Sequence, residues 1–294
     1  MDLMRFKLLY FVFSLVLILP GLYFLITAGL KLGIDFTGGA LLEYKFEKPV
    51  NLQELKNIVT ENDVTVGQIL SAGSNSYIVR TKPLDQEKIN SLKKSLTEKY
   101  GQVIERRVEN VGPVIGQELQ KKALLALSAA SVAIVLYIAF TFRKIPKPAS
   151  SWRFGVTTIV ALLHDVLMVI GAFAILGKFL NVEVDALFIT ALLTIIGFSV
   201  HDTIVVFDRI RENLLKNINK KFSEVANLAV VQTMGRSLNT SLTVVFVLLA
   251  LLLFGGETIK WFVVALLIGV ISGTYSSIFN ATALLVWWEE KLGH

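Results

Sequence analysis

Long apolar runs separated by polar connections are the dominant pattern in this sequence. Because a helix rises about 1.5 Å per residue, roughly twenty apolar residues are enough to cross a hydrocarbon core about 30 Å thick. The pattern therefore predicts six transmembrane helices. Their expected spans are 6–30, 123–142, 154–176, 186–206, 238–254 and 262–288.

The first apolar run follows Arg5 and so shares the basic start of a secretory signal. Its length is different, because the apolar core of a signal peptide spans only about 7 to 15 residues and ends at a small-residue cleavage site. We expect an uncleaved membrane anchor with a kink at Pro20-Gly21, since proline removes a backbone hydrogen bond.

Lysine and arginine are concentrated in two connections, 143–153 and 207–225, which we expect to be cytoplasmic because basic residues accumulate on that side. With six spans, both termini are then cytoplasmic, and the long polar segment 31–117 is exterior. The expected organisation is a first transmembrane helix at 1–30, an exterior domain at 31–117 and a five-helix region at 118–294. The basic residues are Arg143, Lys144, Lys147, Arg153, Arg209, Arg211, Lys216, Lys220 and Lys221.

The segment 31–117 contains both kinds of periodicity. Short apolar stretches bounded by turn residues predict strands, and apolar residues three or four positions apart predict helices. The resulting order, β-α-β-β-α-β, is that of a ferredoxin-like α+β domain. The expected strands are 41–46, 64–70, 77–80 and 103–108, with a turn at Gly73-Ser74-Asn75, and the helices carry Leu52, Leu55 and Ile58, then Ile89, Leu92 and Leu96.

Composition agrees with a membrane protein. Hydrophobic residues make up 54% of the 294 residues and charged residues 18%, against about 25% charged in soluble domains. The formal charge of +6 fits basic cytoplasmic connections better than nucleic-acid binding. The chain has no cysteine, which excludes disulfides, thiol nucleophiles and cysteine-based metal sites.

Ionisable residues inside apolar spans are costly in a bilayer, and they are therefore the main functional candidates. Asp202 lies about 10 Å of helix from Arg209, and Asp165 lies about 18 Å from Arg153. Both aspartates are thus expected within the membrane. Arg236 is also expected within the membrane if the fifth helix begins well before residue 238. The stretch between Glu224 and Arg236 contains no charged residue, which favours such an early start.

An Arg236 placed in this way can approach Asp202 on the neighbouring helix. An aspartate whose arginine partner moves switches between holding and releasing a proton, which is a minimal proton relay. Two structural alternatives are open: a static ion pair that fixes helix packing, and side chains that snorkel to the cytoplasmic surface. Asp165 is an equal candidate for the ion pathway.

Two His-Asp dipeptides, His164-Asp165 and His201-Asp202, raise the alternative of a metal site. Adjacent helical residues point about 100° apart, and the dipeptides differ in expected depth by about 7 Å, so three ligands converge poorly. Hydrogen-bonded histidines are the favoured interpretation. No nucleophile-base pair is recognisable, so we expect no metal, cofactor or catalytic residue.

Small residues form two further patterns. The stretch Gly33-Ile-Asp-Phe-Thr-Gly-Gly39 lacks the Lys-Ser/Thr pair of a phosphate-binding loop and predicts a turn before a strand. In the last span, Gly269, Gly273, Ser276 or Ser277, and Asn280 recur three or four residues apart, which predicts close helix packing.

Two motifs are similar to those of a known family: Gly33-Ile-Asp-Phe-Thr-Gly-Gly39 and His201-Asp-Thr-Ile-Val-Val-Phe-Asp-Arg-Ile-Arg-Glu-Asn213. Together they resemble the SecF type of the SecD/SecF family, which is similar to one half of an RND-superfamily transporter. The resemblance extends over essentially the whole chain. The residues assigned to the family motifs are Gly33, Asp35, Phe36, Gly38, Gly39, Asp208 and Arg209.

The resemblance implies a non-enzymatic auxiliary subunit of the Sec translocase in the bacterial inner membrane. The implied partners are SecD, the Sec translocon channel and an unfolded preprotein, within membrane lipid and without nucleic acid. The proton-motive force would drive export through Asp202 and Arg236, while His201 stands where relatives often have asparagine. A half-transporter is also expected to leave the Gly269, Gly273 and Ser277 face open to a partner.

Two other functions are compatible with the same residues. A proton-driven RND-type exporter of small molecules or lipids would use the same buried charges, although such exporters normally carry both halves in one chain. A structural assembly factor without a transport cycle would tolerate neutral replacements of Asp202 and Arg236.

Overall fold

The computed structural model describes residues 2–73, 75–143, 145, 149–217 and 219–291, apart from the side chain of Glu257. Ser74, Lys144 and Lys147, which belong to the predicted hairpin turn and the first basic connection, lie outside the described residues. The chain divides into two compact units, one formed by Met1–Lys31 with Leu125–His294 and the other by Leu32–Leu124.

The secondary-structure elements are numbered in chain order. They are α1 (Lys7–Thr27), α2 (Ile34–Thr37), β1 (Gly39–Phe46), α3 (Leu52–Glu61), β2 (Val66–Ser71), β3 (Ser76–Thr81), α4 (Gln86–Tyr100), β4 (Val103–Val111), α5 (Pro113–Thr141), α6 (Ser151–Leu180), α7 (Ala186–Lys216), α8 (Phe222–Phe254), α9 (Glu257–Tyr275) and α10 (Thr282–Lys291). A π-helical turn, Ser276–Ala281, connects α9 to α10.

Among the described residues, six helices are long and apolar enough to cross a membrane, which confirms the predicted number. The last of them combines α9, the π-helical turn and α10. Pro20 lies inside α1, and the kink expected there stays a prediction. The six helices are Met4–Thr27, Pro113–Thr141, Ser151–Leu180, Ala186–Lys216, Phe222–Phe254 and Thr258–Lys291.

A glycine contact holds α1 against α6. A Cβ atom added to Gly21 would lie 2.7 Å from the Cα atom of Gly171, so the two backbones approach this closely only because both residues lack a side chain. Small residues have this role in membranes, since apolar side chains gain little by leaving lipid. Elsewhere in this unit the rings of Phe142, Phe154 and Phe207 pack with their centroids 5.0 to 5.9 Å apart.

The connection predicted at 207–225 is much too long. α7 continues to Lys216 and α8 begins at Phe222, so residues 217–221 alone connect the two helices. Ion pairs one helical turn apart stabilise the extended end of α7. These pairs are Asp208–Arg211, Arg209–Glu212 and Glu212–Lys216, each at 2.6 Å. The start of α8 agrees with the early beginning that the sequence favours for the fifth span.

The unit Leu32–Leu124 contains a four-stranded sheet in the order β2-β3-β1-β4. β1 pairs antiparallel with β3 and β4, and β2 pairs antiparallel with β3. The apolar residues of α3 and α4 pack on this sheet, as their helical spacing predicts. The arrangement confirms a ferredoxin-like α+β domain, whose core includes Ala40, Leu42, Tyr44, Leu55, Ile58, Val59, Ile89, Leu92 and Leu96.

The glycine-rich stretch at 33–39 is a one-turn helix followed by two glycines. Gly38 and Gly39 have φ angles of 74° and 144°, a region that residues with a side chain rarely adopt. A Cβ atom on Gly38 would lie 2.8 Å from the Cα atom of Pro113, and one on Gly39 would lie 2.9 Å from the carbonyl oxygen of Thr81. The predicted turn is therefore present, and both of its closing positions require glycine.

Candidate functional site

A fully buried carboxylate lies in the middle of α6. Asp165 is 0% exposed, and its Oδ2 atom accepts hydrogen bonds from the Ser199 hydroxyl at 2.5 Å and the Ser276 hydroxyl at 2.7 Å. Its Oδ1 atom accepts from the Ser272 hydroxyl at 3.0 Å and lies 2.9 Å from Nδ1 of His164. These four contacts replace the water that a buried carboxylate loses, and so offset part of the cost of burial.

Helical spacing explains how two serines of the last span reach one carboxylate. Ser272 and Ser276 are four residues apart and therefore lie on one helix face. Gly273 allows that face to approach, because a Cβ atom there would already lie 3.3 Å from Cβ of Ser199 and 3.5 Å from Oδ2 of Asp165. Ser276 also begins the π-helical turn, a widened turn that is frequent at functional sites.

The small-residue face of the last span packs inside the chain. Gly269, Gly273 and Ser277 are buried, and the Ser277 hydroxyl donates to the backbone carbonyl of Ser199 at 3.0 Å. The Thr203 hydroxyl in turn donates to Ser277 at 2.9 Å. The predicted close packing is confirmed, but the expectation that this face is left for a partner is wrong, because α7 already covers it.

The polar network continues from Asp165 through His164 to α1. Nε2 of His164 lies 3.2 Å from Nδ2 of Asn280, and the same Nδ2 atom donates to the Ser14 hydroxyl at 2.6 Å. Hydrogen bonds thus connect α6, the π-helical turn and α1. The interpretation of His164 as a hydrogen-bonded histidine is confirmed.

Asp202 is a second buried carboxylate, on α7. It is 3% exposed, and its Oδ2 atom is buried without a hydrogen-bond partner. The charges of His201 and Arg236 act on it, and Ser241 interacts with it as a side-chain hydrogen-bond donor. The Ser241 and Thr274 hydroxyls, 2.6 Å apart, tie α8 to α9. Buried polar atoms are nearly always paired, so this oxygen is an open acceptor for a proton or a hydrogen-bond donor.

Arg236 lies on the exposed side of α8. The structure describes both Arg236 and Asp202, and no ion pair within 4.0 Å joins them. Their interaction is therefore electrostatic without direct contact. Other exposed polar residues share this side of the helix, and we call the set the α8 polar face: Arg236, Asn239, Thr240 and Thr243.

The motif residues Asp208 and Arg209 lie at the end of α7. Asp208 pairs with Arg211 at 2.6 Å, while Nε of Arg209 donates to the Gln232 side-chain oxygen at 2.6 Å. The Asn213 amide donates to the same oxygen at 2.9 Å. These bonds join α7 to α8, so the geometry gives this part of the motif a positioning role.

The two His-Asp dipeptides do not converge. Among the described residues, no group of three or more His, Cys, Asp and Glu side chains could hold one metal ion. His164 contacts its neighbour Asp165, whereas His201 is exposed.

Comparison with known protein families gives two matches. A model described as "Protein export membrane protein SecD/SecF, C-terminal" matches residues 91–291, and one described as "SecD/SecF GG Motif" matches residues 23–50. The chain belongs to the SecD/SecF family. The region matched by the C-terminal SecD/SecF model includes Asp165, Asp202 and Arg236, and the GG-motif match includes Gly38 and Gly39.

Curated SecD/SecF family members match along almost their whole length. The protein translocase subunit SecF of Thermobaculum terrenum is 47% identical over 302 residues, covering 99% of this chain and 94% of the relative. The protein of the same name from Anaerolinea thermophila is 42% identical, covering 96% and 92%. The one from Vibrio alginolyticus is 39% identical, covering 99% and 89%.

Solved structures of SecDF are also similar to this chain. The crystal structure of SecDF, a translocon-associated membrane protein from Thermus thermophilus, matches 99% of this chain with a TM-score of 0.84 and 32% identity. A super-membrane-facing form of SecDF matches with a TM-score of 0.71 and 32% identity. In both cases this chain corresponds to 39% of the longer SecDF chain.

The serines that surround Asp165 and the link from His164 to Ser14 were not predicted from the sequence. A signal was present, because the small-residue pattern of the last span already contains Ser276 and Asn280. Helical spacing places these residues on one face, but it does not say which residue of a neighbouring helix that face meets. Within this SecD/SecF family member, the same stripe both packs the helices and supplies hydrogen bonds to a carboxylate.

Proposed function

We propose that this chain is the SecF-type subunit of a bacterial Sec protein translocase and acts with SecD, without enzymatic activity of its own, in protein export across the cytoplasmic membrane. Identity of 47% to a protein translocase subunit SecF over 99% of the chain supports this function. The match to 39% of a SecDF chain supports SecD as the partner, because that longer chain combines both names.

The proposed topology has both termini in the cytoplasm and the domain Leu32–Leu124 outside. Lys216, Lys220 and Lys221 support it, because they are grouped where α7 meets α8 and basic residues favour the cytoplasmic side. This orientation puts the domain on the side to which an exported polypeptide emerges.

The proposed energy source is the proton-motive force. The observation that carries this proposal is the presence of two carboxylates, Asp165 and Asp202, buried inside membrane-spanning helices. Ionisable groups at such positions are expensive and usually serve an ion pathway. One charge that crosses 100 mV supplies about 2.3 kcal/mol, enough to shift a two-state equilibrium roughly 50-fold.

The two carboxylates have different proposed roles. Asp202 has an open acceptor at Oδ2 and is the group that takes up and releases a proton, while the charge of Arg236 acts on it from the neighbouring helix. Asp165 is held by four contacts, so its position is the more fixed of the two carboxylates. Movement of Arg236 towards or away from Asp202 would couple protonation to helix position.

The α8 polar face is the proposed contact with SecD. An arginine side chain that faces lipid costs several kcal/mol. Because Arg236 is exposed on a helix long and apolar enough to span the membrane, we expect it to contact a protein partner. A helix that presents a carboxylate or amide oxygens would satisfy the guanidinium through two hydrogen bonds.

The assembly can be tested by isolating the affinity-tagged full chain from native membranes. We expect SecD and the Sec channel to accompany the wild-type protein, and Arg236→Leu to lower the recovery of SecD about tenfold or more, equivalent to about 1.4 kcal/mol. Val231→Leu, which changes an exposed apolar residue of the same helix, is the matched control. Absence of both partners from wild-type isolates would contradict the proposal.

A further inference from the structure

A cavity of about 270 Å³ lies between α1, α6, the π-helical turn and α10. Its walls are mostly apolar, but three polar side chains line it: Ser14, His164 and Asn280. The volume exceeds that of one water molecule, and these three residues are the polar groups that a proton or a water molecule entering the cavity would meet. The His164 side chain is 12% exposed and that of Asp165 is 0% exposed, so the imidazole stands between the cavity and the carboxylate.

The two hydrogen bonds of His164 fit one tautomer of its ring. In that tautomer Nδ1 donates to Oδ1 of Asp165 and Nε2 accepts from the Asn280 amide. In this orientation of the Asn280 amide, its Oδ1 atom is buried without a hydrogen-bond partner. A buried acceptor left unpaired costs about 1–3 kcal/mol.

Rotation of the Asn280 amide by half a turn exchanges its oxygen and nitrogen. Oδ1 would then accept from a protonated Nε2 of His164 and from the Ser14 hydroxyl. The same three side chains therefore suit a neutral imidazole in one amide orientation and a charged imidazolium in the other.

We propose that His164 is a proton relay between this cavity and Asp165. A hydronium ion that enters the cavity gives its proton to Nε2 and leaves as water, and the proton already on Nδ1 passes to Oδ1 of Asp165. The ring is then neutral with its proton on Nε2, and the aspartate is a neutral acid, so charge and protons balance. This inference rests on the proposed use of a proton gradient and adds an entry site to it.

The surrounding elements offer few competing proton acceptors. Of the two described residues that are hydrogen-bonded to His164, Asp165 is titratable and Asn280 is not. α1 and α9 bring Tyr10 and Tyr275, whose hydroxyls donate to the backbone carbonyls of Leu3 and Tyr10 at 3.0 and 2.9 Å. α7 brings Asp202, which belongs to the proposed Arg236 pair. A proton on His164 thus has Asp165 as its hydrogen-bonded acceptor.

The test uses the full chain with SecD and the Sec channel in proteoliposomes under an imposed proton gradient. We expect His164→Ala to lower the gradient-driven part of preprotein export about 100-fold, which is the lower end of the contribution of a positioned acid-base group. Added imidazole should restore export by occupying the enlarged cavity. Pyrazole, a ring of the same size that scarcely binds a proton at neutral pH, should not.

Equal restoration by pyrazole would show that the ring only fills space, and failure of both rings to restore export would also count against the relay. His164→Asn covers the case in which the alanine variant does not accumulate, because it keeps a donor towards Asp165 but cannot take up a proton. Wild-type export by stable His164→Asn overturns the relay. If Asp202→Asn, measured in parallel, is inactive while His164→Asn is active, only this inference fails; if both are active, the proposed function fails as well.

Discussion

The Ser199 hydroxyl of α7 lies 2.5 Å from Oδ2 of Asp165 on α6. The Ser276 hydroxyl reaches the same oxygen from the π-helical turn, so one buried carboxylate oxygen ties three helical segments together. Hydrogen bonds to a charged group contribute about 1.5–3 kcal/mol each. Asp165 is consequently a structural centre of the membrane unit as well as a candidate ion-pathway residue.

Replacing Asp165 should reveal both properties. Asp165→Leu removes the acceptor for three serine hydroxyls and should lower the free energy of unfolding by about 3 kcal/mol or more. Asp165→Asn keeps one acceptor oxygen and the shape of the side chain, and should cost clearly less. Thermal unfolding of the purified full chain in detergent measures both, and a leucine variant as stable as wild type would contradict this view of the site.

The contact between α1 and α6 can be tested with a matched pair of glycines. Gly21→Ala places a Cβ atom 2.7 Å from Cα of Gly171, so the two helices must separate and the protein should lose stability. Gly197→Ala is the control, because a Cβ atom at that position of α7 meets nothing within 4 Å, and alanine favours a helix by about 1 kcal/mol over glycine. Equal unfolding temperatures for the two variants would disprove the contact.

Much of the fold could be predicted because its patterns are local. Six apolar runs define six spans, and the residues around Leu55 and Leu92 show helical spacing that identifies α3 and α4. The boundaries were less predictable. Charged residues after Asp202 suggested a connection, whereas ion pairs such as Arg209–Glu212 allow α7 to continue as a helix beyond the apolar region.

The candidate site was predictable in part for a similar reason. A charge in an apolar run is visible in the sequence, so Asp165 and Asp202 could be singled out. The partners of Asp165 come from residues far along the chain, and Ser272 and Ser276 are distinguished from other helix serines only by tertiary packing. The exposed position of Arg236 likewise depends on how α8 is turned against α7 and α9.

Two tyrosines of the ferredoxin-like domain should respond in opposite ways to loss of their hydroxyl. The Tyr44 hydroxyl is buried without a hydrogen-bond partner, so Tyr44→Phe should stabilise the domain by about 1 kcal/mol. The Tyr77 hydroxyl accepts from the backbone amide of Val50 at 3.0 Å, so Tyr77→Phe should destabilise it by a similar amount. Hydrogen exchange of residues 39–46 in the full chain would report both changes, and a shift of the same sign in both variants would refute the argument.

The stability of the wild-type protein and that of Tyr44→Phe should depend differently on pH in the alkaline range. Burial, and secondarily the charge of Glu105, raise the pKa of Tyr44 well above its ordinary value of 10.0. The folded state therefore keeps a proton that the unfolded chain releases near pH 10, so this contribution to stability is present below pH 10 and declines as the pH rises above it. Tyr44→Phe should lack this decline, and parallel pH profiles for the two proteins would contradict the prediction.

The proposed topology can be checked by single-cysteine labelling, because the chain contains no cysteine. Lys48 and Lys220 are exposed and lie in the ferredoxin-like domain and the α7–α8 connection. A membrane-impermeant thiol reagent, given access to the outer face of the cytoplasmic membrane in intact cells, should label Lys48→Cys. It should label Lys220→Cys only after the cytoplasmic membrane itself is permeabilised. The opposite pattern would reverse the orientation.

The central claim is that Asp202 carries a proton during export. The most direct measurement is gradient-driven preprotein export by two variants, Asp202→Asn alone and Asp202→Asn combined with Arg236→Gln. Both proteins must be reconstituted with SecD and the Sec channel at abundances matched to wild type. Asparagine keeps the shape of the side chain but cannot cycle a proton, so we predict that both variants insert normally and lose gradient-driven export. Normal export by Asp202→Asn, or recovery of stability and export in the double variant as a static ion pair requires, would contradict the account.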